Sequence, residues 1–442
     1  MRDILRPRRR RFLRLLAWLT PLWLAASSAG GLTLEEAIAL SLANNERAKA
    51  ADEGRRAAGA RVAKARSFLL PDLTLEGDYT RRSHETQRTV DGNTSTLQSR
   101  DGREARATVD QTIFDAQAWP LLSQARRAHE AARHQAFDTQ RNLAYETAQT
   151  FLTALSNEQV MQAAAERLDL AERNLEEIRV RFDAQLVGSN DVTRAELEVA
   201  SAERELVRAR GTARISRLVL GYLVDAEIAD SLAVPSALLA QAARPVEPAE
   251  VAVPEATQRR PDVQAERARA AALRWAAREP LTRYLPDLDF TGTAWTTNES
   301  GFSGRDQDWT LGLGLTWELF DGGEREADRS ERAALARESE LNLEHLERGV
   351  DVDIETARVA LESEQASLAR AEVAVAAARR NAGETTELYR QGLVRALEVV
   401  DANVQLFEAE VERTGAQYAL ALAFLDLRAA VGLDPLGKEG RP

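Results

Sequence analysis

The sequence predicts a mainly α-helical protein that also contributes strands to a membrane β-barrel, built from two copies of one strand–strand–long helix–helix unit. Three observations predict it. The chain repeats itself at a near-constant offset; it holds two helical stretches, the first of them free of glycine, too long for a globule; and it carries four short strands with alternating residues.

The duplication comes first because it organises the rest. Phe68-Leu69-Leu70-Pro71-Asp72-Leu73 returns as Arg283-Tyr284-Leu285-Pro286-Asp287-Leu288, and Phe114-Asp115 as Phe320-Asp321. Further on, Phe182-Asp183-Ala184-Gln185-Leu186-Val187 matches Tyr389-Arg390-Gln391-Gly392-Leu393-Val394, 207 residues later. The same offset relates the apolar positions. Met161, Ala164, Leu168, Ala171, Leu175, Ile178 and Phe182 follow alternating three- and four-residue steps, as do Leu368, Ala371, Val375, Ala378, Ala382, Thr385 and Tyr389. After a turn the pattern restarts at Val192 through Ala213 and at Val399 through Leu420. That spacing is a coiled-coil seam, and alternate alanines let the helices approach closely. Arg413 alone breaks it and is expected near solvent. The organisation follows: a first repeat over 31–225, an irregular connector over 226–254 marked by Pro235, Pro245, Pro248 and Pro254, a second repeat over 255–433, and a tail over 434–442.

No glycine occurs from 117 to 186, and Pro120 sits in a first turn, where proline is tolerated. Such a stretch allows a helix of roughly 105 Å at 1.5 Å per residue. The second repeat allows a similar helix over 324–390, with Gly349 and Gly383 as weak points. Upstream of each lie two strands. The clearest runs from Trp309 to Leu319: Trp309, Leu311, Leu313, Leu315, Trp317 and Leu319 alternate with Thr310, Gly312, Gly314, Thr316 and Glu318. An apolar face bounded by aromatic residues suits a lipid-facing strand. Leu73, Leu75 and Tyr79, then Ala105, Ala107, Val109 and Ile113, then Leu288, Phe290 and Ala294 alternate in the same way. The segments 81–103 and 298–307 read as polar outer loops. Four strands cannot close a barrel, and an open edge cannot remain in lipid. The strands must therefore be pooled between copies; two copies would give eight and three would give twelve.

Residues 1–30 read as an export signal. A basic segment containing Arg9-Arg10-Arg11 precedes the apolar run Leu15–Ala26 and the small residues Ser27-Ser28-Ala29-Gly30. The formal net charge is −12, so no general basic footprint for nucleic acid exists. The chain has no cysteine, which excludes a disulfide framework, a thiolate metal site and a cysteine nucleophile. Catalytic readings find no support. His129 and His134 are five apart rather than four, Gly312-Leu313-Gly314 lacks a third glycine, and the only lysines are Lys49, Lys64 and Lys438. Neither an enzyme nor a cofactor or metal site is expected.

These elements together resemble the outer-membrane efflux protein (TolC) family. The residues that carry the resemblance are Leu34-Glu35-Glu36-Ala37, the two Leu-Pro-Asp-Leu strand starts at 70–73 and 285–288, Arg260-Pro261-Asp262-Val263, Leu319-Phe320-Asp321-Gly322-Gly323, Gly392-Leu393 and Asp401-Ala402. The resemblance implies a homotrimer with a 12-stranded barrel, four strands per chain, continuous with a long periplasmic α-helical tube. It implies an exit duct in the cell outer membrane that extends into the periplasm and works with a periplasmic adaptor (membrane fusion) protein and an inner-membrane transporter. Many relatives carry a lipidated cysteine; with none here, anchoring in outer-membrane lipid is expected to rest on the barrel. The reading is an exit duct of a tripartite efflux pump for small molecules or metal ions. Its alternatives are a channel for type I protein secretion and, in another class, a periplasmic adaptor or coiled-coil interaction protein.

The resemblance also assigns candidate residues. The helix turns at Leu186, Val187, Gly188 and Ser189 and at Gly392, Leu393, Val394 and Arg395 would meet the adaptor. Gly188 and Gly392 suit a reversal with positive φ, although Gln185 occupies the position matching Gly392, which predicts a differently shaped first turn. Glu398 and Asp401, spaced i,i+3 on one helix face, match the acidic pair that narrows the periplasmic entrance, with Asp191 as their first-repeat counterpart. Threefold symmetry would turn them into carboxylate rings that favour cations. The competing reading is of carboxylates drawn to a helix N-terminus by its dipole. The family's closing basic residue is not evident, since Val394 fills its position beside Arg395. Trp309, Leu311, Leu313, Leu315 and Trp317 would face lipid.

Overall fold

The computed structural model describes residues 31–90, 93–228, 231–245, 249–299 and 305–438, so the export signal read into residues 1–30 lies outside the described residues. The chain begins with α1 (Leu34–Asn44) and α2 (Glu46–Ser67). Thr33 and Glu36 form a reciprocal cap: the Glu36 N–H donates to Thr33 Oγ1 at 3.2 Å and the Thr33 N–H to Glu36 Oε2 at 3.0 Å. The Leu-Glu-Glu-Ala motif is thus the start of a capped helix. Asn45 caps α2 and donates its amide to Leu223 O at 3.1 Å, tying the α1–α2 junction to the long hairpin.

Four helices make the tube. They are α3 (Ala118–Asp183) and α4 (Ser189–Val224) in the first repeat, then α9 (Glu324–Arg390) and α10 (Ala396–Ala430) in the second. At 66 and 67 residues, α3 and α9 each extend about 100 Å. Neither Gly349 nor Gly383 interrupts α9. The seam is where the spacing puts it. Ala164, Ala171, Leu175 and Ile178 are buried along with Ala195, Ala202, Leu206 and Ala209, as are Ala371, Val375, Ala382 and Tyr389 along with Val399, Ala402, Ala409 and Leu420. Phe182 departs from it and is exposed. Arg413 is half-buried rather than solvated and donates to Gln417 at 3.4 Å. No described helix is long and apolar enough to cross a membrane.

The two hairpins join through a core of Phe151, Leu152, Leu155, Leu220, Tyr418 and Leu425. Beside it, α3 closes the C-terminus of α10. Arg141 Nη1 donates to Ala429 O at 3.2 Å and Tyr145 Oη to Leu433 O at 2.8 Å. Ala429 O also accepts the Gly432 N–H at 3.1 Å, and Leu433 lies just past the helix end, so both contacts tie α3 to the chain leaving α10. Through the connector region run α5 (Ser236–Ala242) and α6 (Ala249–Arg259), the latter with Pro254 inside it. The short helices α7 (Pro261–Ala276) and α8 (Glu279–Thr282) follow; α7 lies against α3 and α9, as α2 does against α3.

The Arg-Pro-Asp-Val motif fastens α7 to the tube. Pro261 occupies the first helical position, and Arg260 before it turns back. Its guanidinium, almost fully buried, donates to Asp262 at 3.2 and 2.7 Å and to Asp353 of α9 at 2.6 Å. Burial would raise the Asp262 carboxyl, but hydrogen bonds from Arg260 outweigh it and hold the group below its usual range. Nearby, burial pushes the Asp138 carboxyl up despite Arg141 beside it.

The strands are β1 (Asp72–Arg81), β2 (Thr86–Val90), β3 (Asn93–Gln98), β4 (Asp101–Phe114), β5 (Asp287–Thr297) and β6 (Gln307–Thr316). β1, β4, β5 and β6 form one antiparallel sheet in that order, leaving β1 and β6 as edges. β2 and β3 make a separate hairpin inside the segment read as an outer loop. Its sequence is threonine-rich and polar, with no apolar alternation to reveal it. β6 is shorter than read: it ends at Thr316, and Trp317 lies just beyond, its Nε1 donating to Tyr284 O at 3.1 Å.

Arg260→Ala is expected to destabilise the fold by about 2 kcal/mol, because it removes a buried guanidinium and leaves the half-buried Asp262 carboxylate without its cation, while the exposed Asp353 falls back on water. The sign with pH follows from the lowered Asp262 pKa. Its contribution is present above the unfolded value of about 3.9 and lost as pH falls through the lower folded value. Denaturation of Asp262→Asn alongside the parent should therefore show a gap at pH 7 that closes in acid; a gap independent of pH would contradict this account.

Candidate functional site: barrel face and helix tips

Register sorts the sheet into two unlike faces. Leu73 pairs with Val109, Val109 with Gly292 and Gly292 with Leu311; the next row is Leu75, Ala107, Ala294 and Trp309. Phe290 stands beside Leu313, and Leu288 beside Leu315. A β-bulge between Thr112 and Phe114 brings Phe114 onto the Leu288 row, so Ile113 is the inserted residue rather than a regular member of the face. The opposite face reads Thr74, Thr108, Thr293, Thr310 and Glu76, Arg106, Trp295, Asp308. Within one chain the apolar face is uncovered. Trp309, Leu311, Leu313, Leu315 and Trp317 are all exposed, Leu313 at 70%. From Trp309 to Trp317 an extended chain covers about 27 Å at 3.4 Å per residue, or about 21 Å of height at a tilt of about 40°, most of the ~25 Å apolar band of a membrane barrel.

Where the barrel meets the tube, Leu-Phe-Asp-Gly-Gly turns the chain from strand to helix. Gly322 and Gly323 have φ of 75° and 92°. Asp321 accepts the N–H of Gly323 at 3.0 Å and of Arg325 at 2.9 Å, and pairs with the buried Arg325 side chain at 2.8 Å. Arg325 also lies 4.6 Å from the centre of the Tyr284 ring. In the first repeat Asp115 does the same work with one bond, to the Gln117 N–H at 2.7 Å, and no glycine pair.

At the far end each long hairpin turns by the same device. Gln185 N donates to Phe182 O at 2.8 Å and Leu186 N to Arg181 O at 2.9 Å; Gly392 N donates to Tyr389 O and Leu393 N to Leu388 O, both at 2.9 Å. Both turns are Schellman motifs. The left-handed residue is Gln185 at φ 60° in the first and Gly392 at φ 75° in the second. The expectation of a differently shaped first turn is therefore overturned. Gly188 is corrected too: its φ is −86° and it serves as the N-cap of α4. Leu186 and Leu393 are exposed at the tips, whereas Val187 and Val394 pack inward on Tyr389, Ala396 and Val399. Ser189 opens α4, and Arg395 is the N-cap of α10.

Glu398 and Asp401 sit in the first turns of α10, exposed, and neither carboxylate takes a partner among the described residues. Asp191 differs: it is half-buried, and its Oδ2 accepts the Gly188 N–H at 3.3 Å, an N-terminal capping contact. Sequence reasoning did not single out Arg181 and Tyr389 at the tips. Arg181 donates to Tyr389 O at 3.3 Å, lies 4.5 Å from its ring centre and pairs with Glu177 at 2.8 Å. It links the ends of α3 and α9, a cross-repeat contact that no local pattern announces.

Known proteins share this arrangement. The outer membrane efflux protein family matches residues 37–223 and 252–433. Outer membrane protein TolC of Vibrio cholerae is 24% identical over 380 residues, 84% of each chain. Outer membrane protein TolC of Escherichia coli is 24% identical over 442 residues, 94% of this chain and 86% of that one. Among solved structures, the CmeC outer membrane channel of Campylobacter jejuni superposes with a TM-score of 0.76 at 16% identity, covering 92% of this chain and 87% of its own. CusC gives 0.77 at 18% identity, covering 90% and 92%.

Gly392→Gln, which places a side chain at φ 75°, is expected to cost about 1 kcal/mol, and Gln185→Gly to relieve a similar strain. Urea midpoints of the helical signal should move in opposite directions; equal midpoints would show that the turns carry no strain.

Proposed function

The chain belongs to the outer membrane efflux protein family, and from that premise we propose that it is the exit duct of a tripartite pump. As a member of that family it is a non-enzymatic outer-membrane efflux channel: three chains supply twelve strands to one barrel, continuous with an α-helical tunnel. In the proposed assembly a periplasmic adaptor meets the helix tips at Leu186–Ser189 and Gly392–Arg395. An inner-membrane transporter feeds small molecules or metal ions into the tube. The barrel lies in outer-membrane lipid and the tube reaches into the periplasm.

The observation that carries this reading is one chain holding both an uncovered apolar sheet face and helices of about 100 Å whose tips expose Leu186 and Leu393. A duct needs the first to sit in lipid and the second to reach a partner across the periplasm. Glu398 and Asp401 support a constriction there. Unpartnered carboxylates repeated by threefold symmetry favour cations and repel anions. Asp191 is a lesser member of that ring, since its carboxylate is engaged in capping α4.

In planar bilayers, Glu398→Gln with Asp401→Asn is expected to weaken block by divalent cations and to shift reversal potential towards lower cation preference. Unchanged block and selectivity would remove both residues from the constriction. Recovery of the protein as a soluble periplasmic species on fractionation would defeat the duct itself.

A further inference from the structure

The outward face of the barrel holds a trough that the duct does not need. It lies in the outer half of the sheet, the half distant from the helices. Its floor is made of small side chains, Ala105 and Ala107 of β4 and Ala294 of β5, and its walls are Leu75 of β1 and Trp309 of β6. The cavity measures about 750 Å³ and is bounded at its outer end by Arg305. Elsewhere on the same face stand larger residues, Phe290, Leu313 and Leu315.

Glu76, Arg106 and Asp308 border the trough, and more charge stands at the rim above it. Arg103 stands two residues beyond Ala105 on the same face of β4, opposite Tyr79. Its guanidinium has no partner among the described residues. The acid at this rim, Asp101, is already engaged: it accepts from Tyr79 Oη at 2.8 Å and from Arg81 at 3.2 Å. Arg305 reaches Asp308 at 3.3 Å and remains largely exposed. Arg103 therefore holds a guanidinium, unpartnered among the described residues, above the apolar floor, with the exposed, Asp308-paired Arg305 beside it. Guanidinium matches phosphate through paired hydrogen bonds, and it is weakly hydrated enough to work at a lipid surface.

We infer that this trough is a binding site for a phosphorylated glycolipid of the outer leaflet, with acyl chains on the alanine floor and a phosphate at Arg103 and Arg305. The inference rests on the membrane placement of the barrel. A second copy of the chain is a poor occupant, because copies join through the open edges of β1 and β6 while the trough floor belongs to the central strands β4 and β5. A ligand of the inner leaflet is equally poor, since the arginines stand at the outer end alone. The width, spanning all four strands, suits a lipid with several chains.

Native mass spectrometry of the purified trimer can test this with three probes: bisphosphorylated lipid A, the same lipid dephosphorylated, and phosphatidylglycerol. Lipid A is expected to bind at a stoichiometry of up to one per chain. Removing its phosphates, or Arg103→Gln with Arg305→Gln, should weaken binding roughly tenfold. Ala107→Leu with Ala294→Leu, which fills the floor, should weaken both forms of lipid A. Equal binding of phosphatidylglycerol, or wild-type binding by the arginine variant, would overturn the site. Single-channel conductance of each variant separates the outcomes: a conducting trimer without lipid selectivity refutes this inference alone, whereas a protein that never inserts refutes the duct. Should the arginine variant fail to assemble, the phosphate comparison on the parent protein decides.

Discussion

A hydrogen-bonding backbone cannot end in hydrocarbon, and this constraint governs the molecule. One chain supplies four strands with an apolar outward face, so its β1 and β6 edges are acceptable only when another copy pairs with them. Closure by several chains follows; the family does it with three, and that threefold symmetry then sets everything below the membrane. The coiled-coil hairpins must share a radius with the barrel they hang from. The Asp321–Arg325 pair and the Gly322-Gly323 turn are the local means by which a strand in that barrel becomes a helix in that tube.

The duplicated unit is not a copy at every position. Both left-handed helix ends of the second repeat use glycine, Gly392 and Gly432; the matching positions of the first repeat, Gln185 and Asp225, adopt the same sign of φ with a side chain attached. The geometry is thus imposed by the Schellman hydrogen bonds and the hairpin packing rather than by residue choice. Asymmetry also appears at the tips, where Asp191 caps its helix while Glu398 takes no partner among the described residues. One fold carries two chemically distinct hairpins.

Periodicity made most of this legible. The alanine-rich seam and the odd-even strands each repeat over enough residues for one exception, such as Arg413 or Ile113, not to hide them. What escaped had no period to show. α2 buries little beyond Ala48 and Ala58, so its arginine-rich surface leaves no apolar stripe, and only the cap at Asn45 marks it. α1 was signalled by its Thr33–Glu36 box and α7 by Pro261, but neither was long enough to stand out. At the candidate site, Glu398 and Asp401 were visible as an i,i+3 pair. Gln185 was recognised as the counterpart of Gly392, but its left-handed backbone was not foreseen, because a glycine three residues later offered an easier but mistaken explanation of the turn. Arg181 and Tyr389 touch across repeats, and no local pattern contains such a contact.

The clamp at Arg260 and Asp353 has a mechanical consequence. It grips α9 well above its end, and from Asp353 to the tip at Arg390 the helix runs unbroken for about 55 Å. The rod is held again part of the way down, where Gln365 donates to Ala242 O at 2.9 Å and to Arg244 O at 2.8 Å, which leaves about 38 Å of helix between that grip and the tip. A tilt of about 5° at that point would carry the tip about 3 Å while the barrel above stays still. The contacts that fasten short helices to the tube thus set the length of rod that can swing.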